Sequence, residues 1–191
     1  MNNRSVNMKV FEGAFPLLES PRLILREFNE EDARTILAMR IDGRIGRFIA
    51  RPEMEKIEDA LGLVRRTRDA FHQKMGIGWA GIHRKSGKLI GSCGFNQLDI
   101  LNLRAEIGGE MEVESWGTGL AQEAVRAILE FGFSSLGLNS IEAKVDPGNR
   151  SAIALLHYFG FEKEAHFKDR ILFDGQFRDM AVYTAFKGSK P

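Results

Sequence analysis

The chain has 191 residues, enough for one well-buried core and few for two. Its 27 lysines and arginines against 26 aspartates and glutamates exclude a whole-surface pull toward nucleic acid or an anionic membrane. The single cysteine, Cys93, excludes an internal disulfide framework.

The lead-in over residues 1–19 has weak periodicity and reads as an arm or irregular segment. Met1 to Pro21 contains no apolar core of signal-peptide length, and no later run reaches the ~18 apolar residues that span a bilayer, so a cytoplasmic protein without membrane attachment is expected. Leu23 to Phe28 reads as a strand, and Asn29 caps a helix whose first turn holds Glu30, Glu31 and Asp32 at the positive end of its dipole. Residues 43–51 are basic and irregular. Pro52 then stands at the first position of a second helix through about Lys74, with Ile57, Leu61, Val64 and Phe71 on its buried side. Strands over Gly78 to Arg84 and Leu89 to Phe95 flank the turn Lys85-Ser86-Gly87-Lys88.

Ala105 to Glu112 reads as the central strand. A glycine turn, Ser115-Trp116-Gly117-Thr118-Gly119, joins it to a long helix. Ala121, Ala124, Val125, Ile128, Leu129 and Gly132 mark that helix's packed face, and Gln122, Glu123, Arg126 and Glu130 its wet one. Several N–H groups at this helix start lack intrahelical partners, and Gly117 and Gly119 let a ligand approach the main chain without meeting a Cβ. The place suits phosphate. Gly137 with Leu138 closes the helix, and Ile141, Ala143 and Val145 alternate with Glu142 and Lys144 as a strand with one buried side. Asp146-Pro147-Gly148-Asn149 leads into a short helix from Arg150 to Phe159. A hairpin around Asp174-Gly175 ends the chain.

Six to seven strands and about four helices, with an antiparallel meander in the middle, define an α+β (mixed-sheet α/β) class. A single domain over residues 20–187 follows.

The ordered pieces Pro21-Arg22-Leu23-Ile24-Leu25-Arg26, Ala105-Glu106-Ile107-Gly108, Trp116 to Ala124, Asn149 with Gly160-Phe161, and Asp174-Gly175 with Asp179 carry a family resemblance. The chain resembles GNAT-superfamily N-acetyltransferases of the RimJ/RimL type over roughly Ser20 to Phe186. The resemblance implies a mostly antiparallel sheet splayed at a cleft between the central strand and the Ile141 to Val145 strand, with a bulge in the central strand. It also implies acetyl-CoA as co-substrate, with Met111, Glu112 and Val113 on the pantetheine arm. Gly117, Thr118, Gly119, Leu120 and Ala121 would hold the pyrophosphate, and Asn149 the far side of the thioester cleft. A protein N-terminal α-amine is the leading acceptor, on a monomer or homodimer that needs no metal and contacts no nucleic acid. Small amines such as polyamines, amino acids and aminoglycosides stay open. Three positions depart from the family pattern. Glu114 replaces the frequent Gln or Arg, Gly109 replaces a frequent aromatic and suggests a roomier substrate side, and Ala152 stands where a serine is proposed to protonate the thiolate, with Ser151 one residue off.

The residues themselves leave rivals. The glycine turn alone is equally a tight strand-to-helix connection, and a dinucleotide fingerprint is disfavoured by Gln122 where a third small residue belongs. Glu106 is the candidate general base, with Glu110 and Glu112 behind it, against a plain salt-bridged carboxylate. Cys93 reads as a small core residue rather than an acyl acceptor. His72, His83, His157 and His166 lack metal-ligand spacing. Arg65-Arg66-Thr67-Arg68 reads as a solvated helix face. A non-catalytic acyl-CoA-binding module is the rival from another class.

Overall fold

The computed structural model describes residues 5–188. Among these residues eight strands form one sheet: β1 (Leu18–Glu19), β2 (Leu23–Arg26), β3 (Ile77–His83), β4 (Leu89–Asp99), β5 (Arg104–Met111), β6 (Ser140–Val145), β7 (Glu162–Phe173) and β8 (Gln176–Phe186). Their order is β1-β2-β3-β4-β5-β6-β8-β7. Every neighbouring pair is antiparallel except β5 with β6. Five α-helices accompany the sheet: α1 (Ala33–Arg40), α2 (Gly43–Gly46), α3 (Ile57–His72), α4 (Leu120–Glu130) and α5 (Arg150–Tyr158). The mixed, mostly antiparallel class is as the sequence implies, with one more strand and one more helix than the upper expectation.

The extra strand, β1, comes from the lead-in, which is packed rather than loose. Val6 and Phe11 are buried in the main core, and the rings of Phe11 and Phe15 lie 5.3 and 4.9 Å from Phe71 of α3. Trp79 is fully buried, and its indole N–H donates to the Pro16 carbonyl at 2.8 Å. A buried indole without that partner would carry a desolvation cost of about 1–3 kcal/mol.

Pro52 does not open the second helix. Residues 43–46 form the short α2 instead, and α3 begins only at Ile57. The Asp59 carboxylate decides this start, because it accepts the N–H groups of Glu55 and Lys56 at 3.0 and 3.2 Å. At the first helix, Asn29 caps as expected, and buried Asp32 takes a bidentate pair from Arg26 at 2.8 Å on each oxygen.

The alternation of β5 sorts its side chains between two layers. Ala105 and Ile107 join the core that contains Ala124 and Ile128 of α4. Glu106 and Glu110 point to the other face, where Glu110 meets Arg40 at the end of α1. At the far end of α4 the chain runs through a π-helical turn, Phe131–Leu136, and leaves at Gly137 in the left-handed region, φ 76°.

Candidate functional site

β5 and β6 share only three register pairs, Arg104↔Ser140, Ala105↔Ile141 and Glu106↔Glu142. Beyond them β5 stays with β4 as far as Met111, and β6 stays with β8 as far as Val145. The two strands therefore part after Glu106 and leave a wedge between residues 107–111 and 143–145. β5 itself carries no bulge. The irregularity lies across from it in β4, where Asn96 is the extra residue between Phe95 and Gln97. A bulge there adds local twist to the strand pair just where the wedge opens. This corrects the central-strand bulge implied by resemblance.

Ladder geometry assigns the backbone of β5. The Glu112 N–H donates to the Ile90 carbonyl at 2.8 Å. In an antiparallel ladder the bonding groups of Gly108, Glu110 and Glu112 then turn to β4, while those of Gly109 and Met111 turn toward the wedge. Glu112 therefore cannot offer its N–H to a ligand, and its carboxylate accepts the Ser115 hydroxyl at 2.9 Å. Gly109 is a wedge-facing backbone position that the sequence reading missed. Its lack of a side chain does not enlarge the substrate side, because a Cβ there would lie 2.6 Å from the Ser92 carbonyl and 3.0 Å from the Cys93 sulfur.

The wedge ends at the glycine turn. Val113–Ser115 make one tight helical turn, and Gly117 and Gly119 adopt φ of 72° and 84°. The first intrahelical bond of α4 runs from the Glu123 N–H to the Gly119 carbonyl, so the N–H groups of Leu120, Ala121 and Gln122 precede the ladder. Leu120 is buried, leaving only its backbone to face a ligand. The Thr118 hydroxyl donates back to the Ser115 carbonyl at 2.6 Å, and the Trp116 indole donates to the Met111 carbonyl at 2.9 Å. Both bonds stiffen the loop. Arg22, just before β2, clamps it, with Nη1 donating to the Thr118 carbonyl at 3.0 Å and Nε to Glu123 at 2.5 Å. Glu123 was expected to face water. Instead it also accepts from the Ser20 hydroxyl, and these bonds with Arg22 hold its carboxyl below the usual range against the opposing push of burial.

Asn149 caps α5, its Oδ1 accepting the Ala152 N–H at 3.1 Å. Ser151 is exposed at the second position of that helix. Glu106 sits at the last paired register before the wedge, its carboxylate 2.6 Å from the Lys144 ammonium. Glu110 is deeper, with its side chain 3% exposed and paired to Arg40 at 2.6 Å and to Arg51. Burial holds the Arg40 guanidinium below its ordinary range. Glu110 pulls the other way, and Arg51 and Arg66 add to the lowering.

Lys144, Asn96, Arg40 and Arg51 were not singled out in the sequence. Pairing Glu106 with Glu142 in parallel would have found Lys144, but nothing local connects Glu110 to arginines 70 and 59 residues away. Burial pushes the Cys93 thiol up to about 12, with the Gly94 N–H bond opposing, so it stays protonated in β4. Exposed His157 meets the Tyr183 ring edge-on at 5.4 Å. Among the described residues no cluster of His, Cys, Asp or Glu could hold a metal, and no helix is long and apolar enough to cross a membrane. Arg65, Arg66 and Arg68 are exposed, as a solvated helix face requires.

Residues 22–162 match the family model described as an acetyltransferase (GNAT) domain. The chain is 36% identical over 173 residues to an uncharacterised N-acetyltransferase, YoaA, of Bacillus subtilis, covering 91% of this chain and 98% of that one. It is 32% identical over 111 residues to the [ribosomal protein uS5]-alanine N-acetyltransferase of Escherichia coli, covering 57% of each. Among solved structures it is similar to RimL, a ribosomal L7/L12 α-N-protein acetyltransferase in complex with coenzyme A, with a TM-score of 0.84, 15% identity and coverage of 92% and 100%. It is also similar to the microcin C7 self-immunity acetyltransferase MccE in complex with acetyl-CoA and AMP, with a TM-score of 0.78, 19% identity and coverage of 87% and 93%. At these identities the structural likeness concerns the fold.

Proposed function

The chain belongs to the GNAT family of acetyltransferases and is an acyltransferase; we propose that it moves an acetyl group from acetyl-CoA directly to an amine, foremost a protein N-terminal α-amine. The observation that carries this reading is the wedge between β5 and β6, running into a glycine turn whose two left-handed glycines precede the open N-terminus of α4. The turn fits a pyrophosphate. A Cβ on Gly119 would approach Arg22 Nη2 at 3.2 Å, while around Gly117 nothing lies within 4 Å. Backbone N–H groups from Gly117 to Ala121 would hold the phosphates, as at other helix starts. The wedge-facing groups of Gly109 and Met111, with Val113, would take the pantetheine arm.

Acetyl-CoA, when bound, supplies the activated acyl group. The chain's own contribution is placement and charge. The Gly109 N–H, turned into the wedge three residues from Glu106, stabilises negative charge on the acyl oxygen, and the rigid strand needs no reorganisation to do so. Glu106 takes the proton of the amine. Its position at the apex of the wedge suits this, and Lys144 keeps the carboxylate oriented. The Asn149 amide nitrogen closes the far side. An α-amine has a pKa near ~8 against ~10.4 for a lysine side chain, so much more of it is neutral at pH 7 and the base has less to do. The uS5-alanine N-acetyltransferase relative supports the same class of acceptor.

Glu106→Gln tests the assignment. Turnover should fall by ~10²–10⁴ with acetyl-CoA affinity nearly constant, as for loss of a general base. The Lys144 partner is partly exposed, so the pair itself contributes at most ~1 kcal/mol of stability. A melt unchanged within that range, measured beside steady-state rates, assigns the loss to chemistry. Normal turnover in the folded variant would remove Glu106 as the base.

A further inference from the structure

Resting on the acetyltransfer reading, we propose that the acceptor carries an anionic group, a carboxylate or a phosphate, which docks in an arginine-lined cavity on the Glu110 face of β5. The cavity, about 280 Å³, lies between the segment from Arg40 to Met54 and the hairpin of β7 and β8, represented by Phe173 and Arg178. Arg40, Arg47, Arg51 and Arg178 line it, against Asp42 and Glu53 as the acidic lining residues. Asp42 is already held by Arg44, with contacts of 2.6 to 3.2 Å. Glu53 is exposed. Glu110, behind the wall, is shared between Arg40 and Arg51. One carboxylate therefore faces two mostly buried guanidinium groups, and the cavity stays positive.

Arg51 brings an unmet donor to the wall of the cavity. One terminal nitrogen is bound to Glu110, while the other, Nη2, is enclosed and has no hydrogen-bond partner among the described residues. A buried guanidinium N–H left unmet is costly, and an anion is the partner its fork geometry fits best. Arg178 is held over the Phe173 ring at 5.0 Å and donates through Nη1 to the Arg47 carbonyl at 3.2 Å, so the opposite wall is also pre-positioned. Glu106 and Glu110 are four residues apart on β5, about 13 Å along the strand. The amine and the anion of the acceptor are thus separated by on the order of 10 Å, the reach of about three extended residues.

The test uses three peptides with the same free α-amine: Ala-Ala-Ala amide, Ala-Ala-Ala with a free carboxylate, and Ala-Ala-phosphoserine amide. Thiol release from saturating acetyl-CoA is followed for the wild type, Arg51→Gln and Arg178→Gln. At least one anionic peptide should exceed the neutral amide in kcat/KM by ~10-fold or more, chiefly through KM, as for a charge-assisted contact. Each substitution should bring that ratio toward one, and the better anionic peptide tells carboxylate from phosphate. Equal use of the neutral peptide, or a ratio that survives both substitutions, overturns the proposal while leaving acetyltransfer standing. Should none of the peptides be acetylated, calorimetry on the CoA-saturated protein decides. Binding of an anionic peptide but not the neutral one, lost in Arg178→Gln, upholds the anion site and counts against the acceptor reading, and absence of such binding overturns the anion site as well. Arg178 is only partly buried near the hairpin end, so its variant keeps the test valid where Arg51→Gln fails to fold.

Discussion

Glu110→Gln perturbs the most enclosed charge in the site. Its side chain is 3% exposed and faces Arg40 and Arg51, themselves 18% and 14% exposed. Glutamine keeps the volume and one accepting oxygen but removes the negative charge that two buried guanidinium groups share. Breaking a buried pair by removing one partner costs ~3–5 kcal/mol, because an uncompensated charge stays behind. For a domain of this size each kcal/mol moves the melting temperature by roughly 2–4 °C, so a fall of about 6–20 °C is expected. Thermal and urea melts at constant ionic strength measure it. A second variant separates charge from packing: replacing all three residues together, Glu110→Leu with Arg40→Met and Arg51→Met, should recover much of the loss, as apolar replacement of buried ion triads can. A loss below ~1 kcal/mol in Glu110→Gln, the scale of a surface pair, would refute the description of Glu110 as a buried counter-ion.

Gly119→Val should fold but lose CoA affinity by at least ~10-fold by calorimetry, since φ of 84° costs a residue with a Cβ about 1–2 kcal/mol and the new side chain crowds Arg22 at the phosphate approach; unchanged affinity would remove the phosphate cradle. Glu123→Gln should lower stability at pH 7. Because the Glu123 carboxyl is held below its ordinary value of 4.5, its contribution is present above about 4.5 and is lost as pH falls through the lower folded value. The difference in melting temperature from wild type should therefore shrink on acidification, and a constant difference down to pH 3 would contradict the linkage. Ser151→Ala should cost less than about twofold in turnover, as Ser151 is exposed on α5, whereas a ~100-fold loss would assign it the proton donation to the departing thiolate.

The sequence by itself determined what depends on near neighbours. The 3.6-residue spacing from Ala121 to Leu129 is α4, and Ala124, Ile128 and Leu129 sit in the core with Val125 packed against it. Asn29 with three acids is a helix start, and Asp174-Gly175, both with positive φ, is the two-residue hairpin turn. The glycine turn was legible for the same reason, since the positive φ of Gly117 and Gly119 is a local property. Pro52 shows the limit of local reading, because the Asp59 carboxylate outweighed proline's preference for a helix start. Glu106 and Asn149 were visible as candidates, but their partners were not. Lys144 reaches Glu106 only once β6 lies parallel to β5, and the Asn149 Oδ1 caps its own helix. Which backbone groups of β5 face the wedge follows from the register with β4, so Gly109 entered and the Glu112 N–H left only with the sheet assembled. Glu110 is the extreme case. Alternation assigned its face, yet its burial and its two arginines come from chain segments 59 and 70 residues away, because an ion pair depends on distance in space and carries no period along the chain.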